Sequence, residues 1–362
     1  MKILYICAAN SGSGYYNSAI DFIIALDGIG LDVAARFVNF GGQPKELSEI
    51  VKKCVAKDLN DVTHCVQHTL PHHFEYKKGI KNLGLFFWET SNFNNSSWPE
   101  FVNMMDGIIC PNLLTWNVAS HYNDSTFHIN QPININKFDD IKPLDIPLLN
   151  NAFDFYTIAE NVRRKNLHTL IRAFHHEFGP DEPVNLVIKT SLSGASPEES
   201  LNYTKQMCID IQNNLKIYKN PVDYKKEIII TDNLSDKQIL GLHLNCDCFI
   251  MPSYGEGYCL PLYDAILAEK HFLCTNNAGM IDNTVHSIPS HKEVVFGNTN
   301  TFLDLYTGNE QWSAPSAVKL AQMMRTIYND KFTIDTSIRN NILKYNNYKA
   351  VGEKFKKVLE MV

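Results

Sequence analysis

Short apolar runs alternate with stretches of helical spacing along nearly the whole chain. Residues 2–8 read as a strand, 15–26 as a helix ended near Gly28, and 33–38 as a second strand. Pro44 stands where another helix would begin, heading a polar-apolar pattern to about residue 56. Further strands are predicted at 63–66, 83–88 and 107–110, with helical stretches at 99–105 and 113–121. Such β-α alternation implies a parallel sheet covered on both faces. From 132 to 151 the pattern lapses into Pro, Asn and Asp, which marks an interdomain connection. The alternation then restarts with a strand at 153–159. A helix at 165–178 follows, with Leu167, Leu170, Ile171, Phe174 and Phe178 on one face. Strands are predicted at 184–189, 228–231 and 248–251. Ser196-Pro197-Glu198-Glu199 has the form of a capping box with Pro in the first turn, and Ser235 with Gln238 opens another helix. The tail from about 337 to 361 reads as one amphipathic helix.

A chain of 362 residues exceeds what one hydrophobic core usually serves, so two domains are expected. The predicted division is 1–140, 141–335 and a C-terminal helix over 336–362. A formal net charge of -6 argues against nucleic acid or an anionic membrane as the main partner. The nine cysteines are odd in number and lack any CxxC spacing, which fits buried thiols in a reducing, cytoplasmic setting. The apolar start is too short for a signal segment, and no run reaches the length that spans a bilayer. Peripheral membrane contact stays open.

Three stretches carry chemistry. Asn10-Ser11-Gly12-Ser13-Gly14 follows the opening strand and precedes a helix, where glycines let backbone approach a phosphate. A dinucleotide fingerprint would need a third glycine at Asn17 and an acid near Arg36-Phe37-Val38-Asn39, so an NAD-linked role is poorly supported. A plain tight turn accounts for the loop equally well. Arg163-Arg164-Lys165-Asn166-Leu167 sets three cations at a helix N-terminus, against the dipole's preference for anions. A bound diphosphate would neutralise them; a solvated basic turn is the equal alternative. The third stretch runs from Pro252 to Ala265, where seven residues separate Glu256 from Asp264. Ionised carboxylates only accept hydrogen bonds, so a pair of them suits the hydroxyls of a sugar and a ribose.

The stretches 164–174, 234–253 and 256–264 resemble, in order and spacing, the C-terminal domain of family 4 retaining glycosyltransferases. The resemblance implies an α/β chain of GT-B fold, with two Rossmann-like domains facing a cleft and a last helix crossing back to the first domain. It implies a nucleotide diphosphate sugar, such as a UDP- or GDP-sugar, as donor, a hydroxyl of unknown type as acceptor, and no metal. Arg164 and Lys165 would bind the diphosphate, Glu256 the transferred sugar, and Asp264 the ribose. The amides of Tyr258, Cys259 and Leu260 would meet phosphate or sugar, and Gly12, Ser13 and Gly14 would close over the diphosphate. This chain departs from the family with Glu160 where an Arg is usual and with Asp264 in place of a Glu. It also has Glu89, in Phe87-Trp88-Glu89-Thr90-Ser91, where many members carry a histidine. Glu89 ends the apolar strand 83–88, and a strand's C-terminal edge faces the ligand crevice, so it reads equally as a candidate catalytic carboxylate or as an exposed loop acid capping the next turn.

His64, His68 and His72 recur at four-residue spacing, but a strand leading into a Pro71 loop would not present helical spacing, and no zinc motif accompanies them. His68 is instead a candidate for the acceptor cleft. Trp88, Phe93 and Trp98 read either as an aromatic wall for a sugar or as core. The rival functions are a nucleotide-sugar epimerase on the same fold, a catalytically inactive sugar-binding subunit, and a transferase acting on a modified nucleic-acid base.

Overall fold

The computed structural model describes residues 1–9, 13–38, 47–146, 152–277, 286–295, 305–330 and 336–362. Pro44 and Gly12, with Asn10 and Ser11 of the same loop, lie outside these residues. The chain forms two compact units: Met1–Ile135, Thr299–Glu310 and Asn340–Val362 make the first, and Asn136–Asn298 with Gln311–Arg339 the second.

The first unit runs β1 (Lys2–Ala8), α1 (Gly14–Gly28), β2 (Asp32–Val38), α2 (Glu49–Ala56), β3 (His64–His68), β4 (Lys81–Leu85), α3 (Trp98–Asn103), β5 (Gly107–Cys110), α4 (Leu113–Ala119) and β6 (Thr126–His128). Its six strands are parallel, in the order β2-β1-β3-β4-β5-β6. The second unit opens with β7 (Phe153–Ile158), α5 (Leu167–Glu177), β8 (Val184–Lys189), α6 (Pro197–Leu215) and β9 (Ile228–Ile230). It continues with α7 (Asp236–Asn245), β10 (Cys248–Met251), α8 (Leu260–Leu267), β11 (His271–Thr275) and β12 (Ser287–Ile288). These strands are also parallel, ordered β12-β11-β10-β7-β8-β9. A separate antiparallel pair joins β13 (Ser290–Val294) to β14 (Gln311–Pro315), and α9 (Ala317–Asp330), α10 (Thr336–Tyr345) and α11 (Tyr348–Met361) follow.

Strands covered on both faces should be apolar throughout, and every residue of β5 and of β10 is buried. The predicted apolar face of α5 packs as expected: Leu170, Ile171 and Phe174 share a core with Leu186 of β8 and with Leu320 and Met324 of α9. Both capping boxes form, at Ser196 with Glu199 and at Ser235 with Gln238. The predicted strand at 83–88 stops at Leu85, because side chains replace the ladder beyond it. The Phe87 amide donates to the Tyr15 hydroxyl at 3.0 Å, and the Trp88 amide to the Thr115 hydroxyl at 3.0 Å. The single tail helix is two helices, divided where Asn347 adopts an extended conformation and accepts from the Ala350 amide to cap α11. All nine cysteines are buried and free.

Helix α11 packs on α1 through a glycine. A Cβ on Gly352 would sit 2.5 Å from the Ala25 carbonyl oxygen and 3.1 Å from Ile29 Cγ2. Alanine would raise helix propensity by about 1 kcal/mol, but a backbone clash cannot be relieved by rotating a side chain. We expect Gly352→Ala to destabilise the first unit by about 1–3 kcal/mol, the usual cost of overpacking. A lowered thermal midpoint with unchanged far-ultraviolet dichroism is the expected reading; an unchanged midpoint would mean that the helices separate without cost.

Candidate active site

In an open parallel sheet, ligands bind beyond the carboxyl ends of the strands where the strand order reverses. In the second unit that reversal falls between β7 and β10. The segments leaving these two strands are the two the sequence analysis selected.

After β7 the chain makes a 3-10 turn, Arg163–Lys165, and then Asn166 takes a left-handed conformation, φ 55° and ψ 44°. Asparagine tolerates this region better than most residues, because its short side chain bonds locally. Here the Asn166 carboxamide accepts from the Thr169 amide at 3.3 Å, capping α5, and donates to the Pro252 carbonyl at 3.0 Å. One residue thus starts the helix and ties the basic turn to the loop after β10. The loop answers with Ser253, fully buried, whose hydroxyl lies 2.9 Å from both the Arg164 and Gly255 carbonyl oxygens. The Tyr254 amide donates to the Arg164 carbonyl at 2.9 Å. Strand β14 braces the loop from outside: the Ser313 amide donates to the Tyr254 carbonyl at 2.8 Å, and the Trp312 and Tyr254 rings stack with centroids 4.7 Å apart.

This scaffold brings three charges together. The Lys165 ammonium lies 2.8 Å from each oxygen of Glu256. The Arg164 guanidinium donates to the Gly255 carbonyl at 2.6 Å and stands 3.4 Å from the Glu256 carboxylate. Glu256 is only 3% exposed. Burial alone would push its carboxyl up, but Lys165, Arg164 and the Ser253 hydroxyl outweigh burial and hold it below its ordinary value. It is therefore ionised near neutrality, and two cations against one carboxylate leave the cluster with a formal charge of about +1. The sequence left open whether the cations await an external polyanion or form a solvated basic turn. The structure supplies an internal carboxylate as well, which relieves part of the helix-dipole conflict while keeping a positive surplus.

Cys259 is the N-cap residue of α8, with no side-chain cap bond, and Pro261 occupies the first turn. The Tyr258 and Tyr263 rings stack at 4.4 Å across this start, and Leu260 begins the helix. Asp264 lies one turn on. Its carboxylate is paired with the Lys137 ammonium at 2.5 Å. Lys137, Asn166 and Ser253 were not singled out by sequence reasoning. Asn166 and Ser253 stand inside quoted motifs and could have been found from their preference for left-handed and turn positions. Lys137 sits in the Pro/Asn-rich connector, 127 residues before its partner, and carries no local signal.

The first-unit candidates divide differently. Ser13 caps α1, its hydroxyl accepting from the Tyr16 amide at 3.1 Å. Gly14 opens α1, and a Cβ there would meet nothing within 4 Å, so neighbouring atoms do not demand glycine at that position. Both follow β1, next to the reversal between β1 and β3. Glu89 lies beyond β4, away from that reversal, and its carboxylate accepts from the Tyr306 hydroxyl at 2.6 Å. One expectation is corrected, and one open alternative is decided. His68 is fully buried among Tyr5, Tyr15, Phe22 and Phe87, with its pKa lowered to about 3 by burial, so it is a core residue and not a cleft one. Trp88, Phe93 and Trp98 are each at most 1% exposed and pack on one another, so they form core and offer no wall to a sugar. The other two histidines of that series have partners of their own: His64 lies 3.0 Å from the Leu359 carbonyl, and His72 accepts from the Trp98 indole at 3.0 Å. Among the described residues no group of three or more His, Cys, Asp or Glu could hold a metal ion. No helix among them is long and apolar enough to cross a membrane.

Residues 145–288 match the family model described as Glycosyl transferases group 1, a match that supports sugar transfer in general. No curated protein matches the chain by sequence. Solved structures that resemble it include a glycosyltransferase from Rickettsia africae, with TM-score 0.64, 13% identity and coverage of 99% of this chain and 98% of that one. Trehalose-6-phosphate synthase OtsA gives TM-score 0.64 at 11% identity, covering 100% of this chain and 99% of its own. The lipopolysaccharide outer core galactosyltransferase WaaB gives TM-score 0.61 at 9% identity, with coverage of 100% and 99%. At such identities the likeness is one of fold, and it extends over the whole chain. The chain thus has the GT-B fold, and its residues 145–288 match the Glycosyl transferases group 1 model.

Proposed function

We propose that the chain is a retaining glycosyltransferase that moves a sugar from a nucleotide diphosphate sugar, such as a UDP- or GDP-sugar, to an acceptor hydroxyl. The observation that carries this reading is the Arg164–Lys165–Glu256 cluster, nearly buried at the strand-order reversal with a surplus of positive charge. In the reaction the bond between the anomeric carbon and the leaving phosphate oxygen breaks, and its electron pair stays on the diphosphate. The acceptor oxygen bonds to the anomeric carbon on the same face and passes its proton to a phosphate oxygen. No enzyme base is needed for that balance. What the protein must supply is positive charge where the diphosphate departs, and Arg164 and Lys165 are placed to do so. Charge-assisted hydrogen bonds of this kind contribute about 1.5–3 kcal/mol each. Glu256 keeps the two cations in register and retains lone pairs for a sugar hydroxyl, while Asp264 would meet the ribose. The similar trehalose-6-phosphate synthase is one for which glycosyl transfer with retention is described, which supports the stereochemical part of the reading.

The test is nucleotide release from a panel of sugar nucleotides, with and without sugar, lipid and glycan acceptors. Release that depends on an acceptor, with the anomeric configuration kept, is expected. Interconversion of donor sugars without an acceptor would indicate an epimerase, and binding without turnover an inactive subunit. Because side-chain cations serve the leaving group, turnover should survive EDTA undiminished. Abolition by chelation, restored by manganese or magnesium, would defeat the metal-independent part.

A further inference from the structure

The connector that begins the second unit reaches the candidate site through Lys137, whose ammonium lies 2.5 Å from Asp264 Oδ1. Both side chains are largely buried, 23% and 12% exposed. The surrounding packing fixes this approach. Gly241 of α7 lets the connector pass: a Cβ there would lie 2.5 Å from the Lys142 carbonyl oxygen and 3.1 Å from the Leu144 nitrogen. The Leu144 amide donates to the Gly241 carbonyl at 3.1 Å, and the Asn245 carboxamide donates to the Leu144 carbonyl. Closer to Lys137, the Phe138 ring meets His243 edge-on, and His243 is itself held by the Tyr156 hydroxyl at 2.8 Å. The connector is thus laced along α7 and delivers a cation to α8.

Burying an ion pair costs desolvation that its mutual attraction often only offsets, so such a pair contributes more to defining geometry than to stability. The pairing is monodentate, through Oδ1, which leaves acceptor capacity on the carboxylate. Resting on the nucleotide-sugar reading above, we propose that Lys137 is a positioning and specificity residue of the donor site, holding the Asp264 carboxylate in one orientation toward a ribose hydroxyl. An aspartate is one methylene shorter than the glutamate of the resembling family and has less reach to adjust. A fixed cation compensates by removing the freedom to turn away.

The experiment is calorimetric titration of the intact chain with ADP, CDP, GDP and UDP. For each that binds, its 2′-deoxy and 2′,3′-dideoxy counterparts follow, with inorganic pyrophosphate as a probe lacking ribose. Wild type should prefer the ribonucleotide over the dideoxy form by about tenfold, the worth of one charge-assisted hydrogen bond. Lys137→Met and Asp264→Asn should each cut that preference to about twofold or less, and the double variant should lose no more than either single one. Lys137→Arg should keep most of it, and pyrophosphate affinity should stay within about twofold throughout. A preference that survives Lys137→Met makes the pair structural and overturns the assignment, as does pyrophosphate binding that weakens in parallel. A wild type that binds nucleotides without regard to ribose sinks this inference alone, whereas one that binds none of the four sinks the donor reading with it.

Discussion

Replacing Lys165 by alanine is expected to lower turnover at saturating donor about a hundredfold, the usual cost of removing one preorganised transition-state charge stabiliser. Lys165 supplies the closest cation in the cluster, 2.8 Å from both Glu256 oxygens, and without it the cluster's formal surplus of positive charge disappears. Arg164 serves the diphosphate from its own position but does not fill the place of the lost ammonium, because its guanidinium is anchored to the Gly255 carbonyl at 2.6 Å. The loss should appear mainly in kcat, since charge on the departing diphosphate grows as the bond breaks and binding in the ground state gains less. The variant also leaves the buried carboxylate to Arg164, 3.4 Å away, and the Ser253 hydroxyl, so thermal stability must be followed alongside and assays run well below the new midpoint. Full turnover in a folded Lys165→Ala protein would remove the diphosphate role from this residue.

What the sequence made legible divides along a physical line. Local rules located the basic turn, the loop after β10 and both capping boxes, because each depends on residues within a few positions of one another. The alternation of apolar runs sufficed for the buried strands, and β8 and β10 have the predicted limits. Strands β6, β11 and β12 and the hairpin of β13 and β14 were not anticipated. β6 and β12 have three and two residues and β13 is largely exposed, so neither run length nor apolar periodicity announces these; length does not account for β11, whose five residues, four of them buried, exceed the four of β10. Within the candidate site, the long-range partners were the illegible part. Nothing near Lys137 points to Asp264, and nothing in the run from Leu305 to Glu310 points to Glu89, which Tyr306 nonetheless engages. His68 misled for the same reason: its turn-like neighbours suggested exposure, whereas its burial follows from aromatic rings brought by distant elements.

Glu256 offers the sharper test, because its replacement should move binding and turnover in opposite directions. Its carboxyl is held below the ordinary value, with burial opposing and Lys165, Arg164 and Ser253 prevailing. The sign follows from linkage: a depressed folded-state pKa contributes stability that is present above the unfolded value, about 4.3 for glutamate, and is lost as pH falls through the folded one. Near pH 7 the pair is intact, and Glu256→Gln removes its charge with little change of shape. Lys165 and Arg164 then lose the carboxylate they share, and the formal charge of these three groups rises from about +1 to about +2. Breaking a buried pair costs about 3–5 kcal/mol, and the partial exposure of Lys165 and Arg164, 19% and 22%, brings the expected loss to about 2–3 kcal/mol. That loss should shrink as pH falls through the lowered folded-state pKa, where the wild type also surrenders the charge. Freed cations should bind inorganic pyrophosphate several-fold more tightly, yet turnover should fall about ten- to a hundredfold, because the cations are no longer held in register with the leaving oxygen. Titration with pyrophosphate and a turnover assay on one preparation decide the matter. Weaker pyrophosphate binding with turnover intact would show that Glu256 helps to form the anion site and takes no part in positioning the cations for reaction.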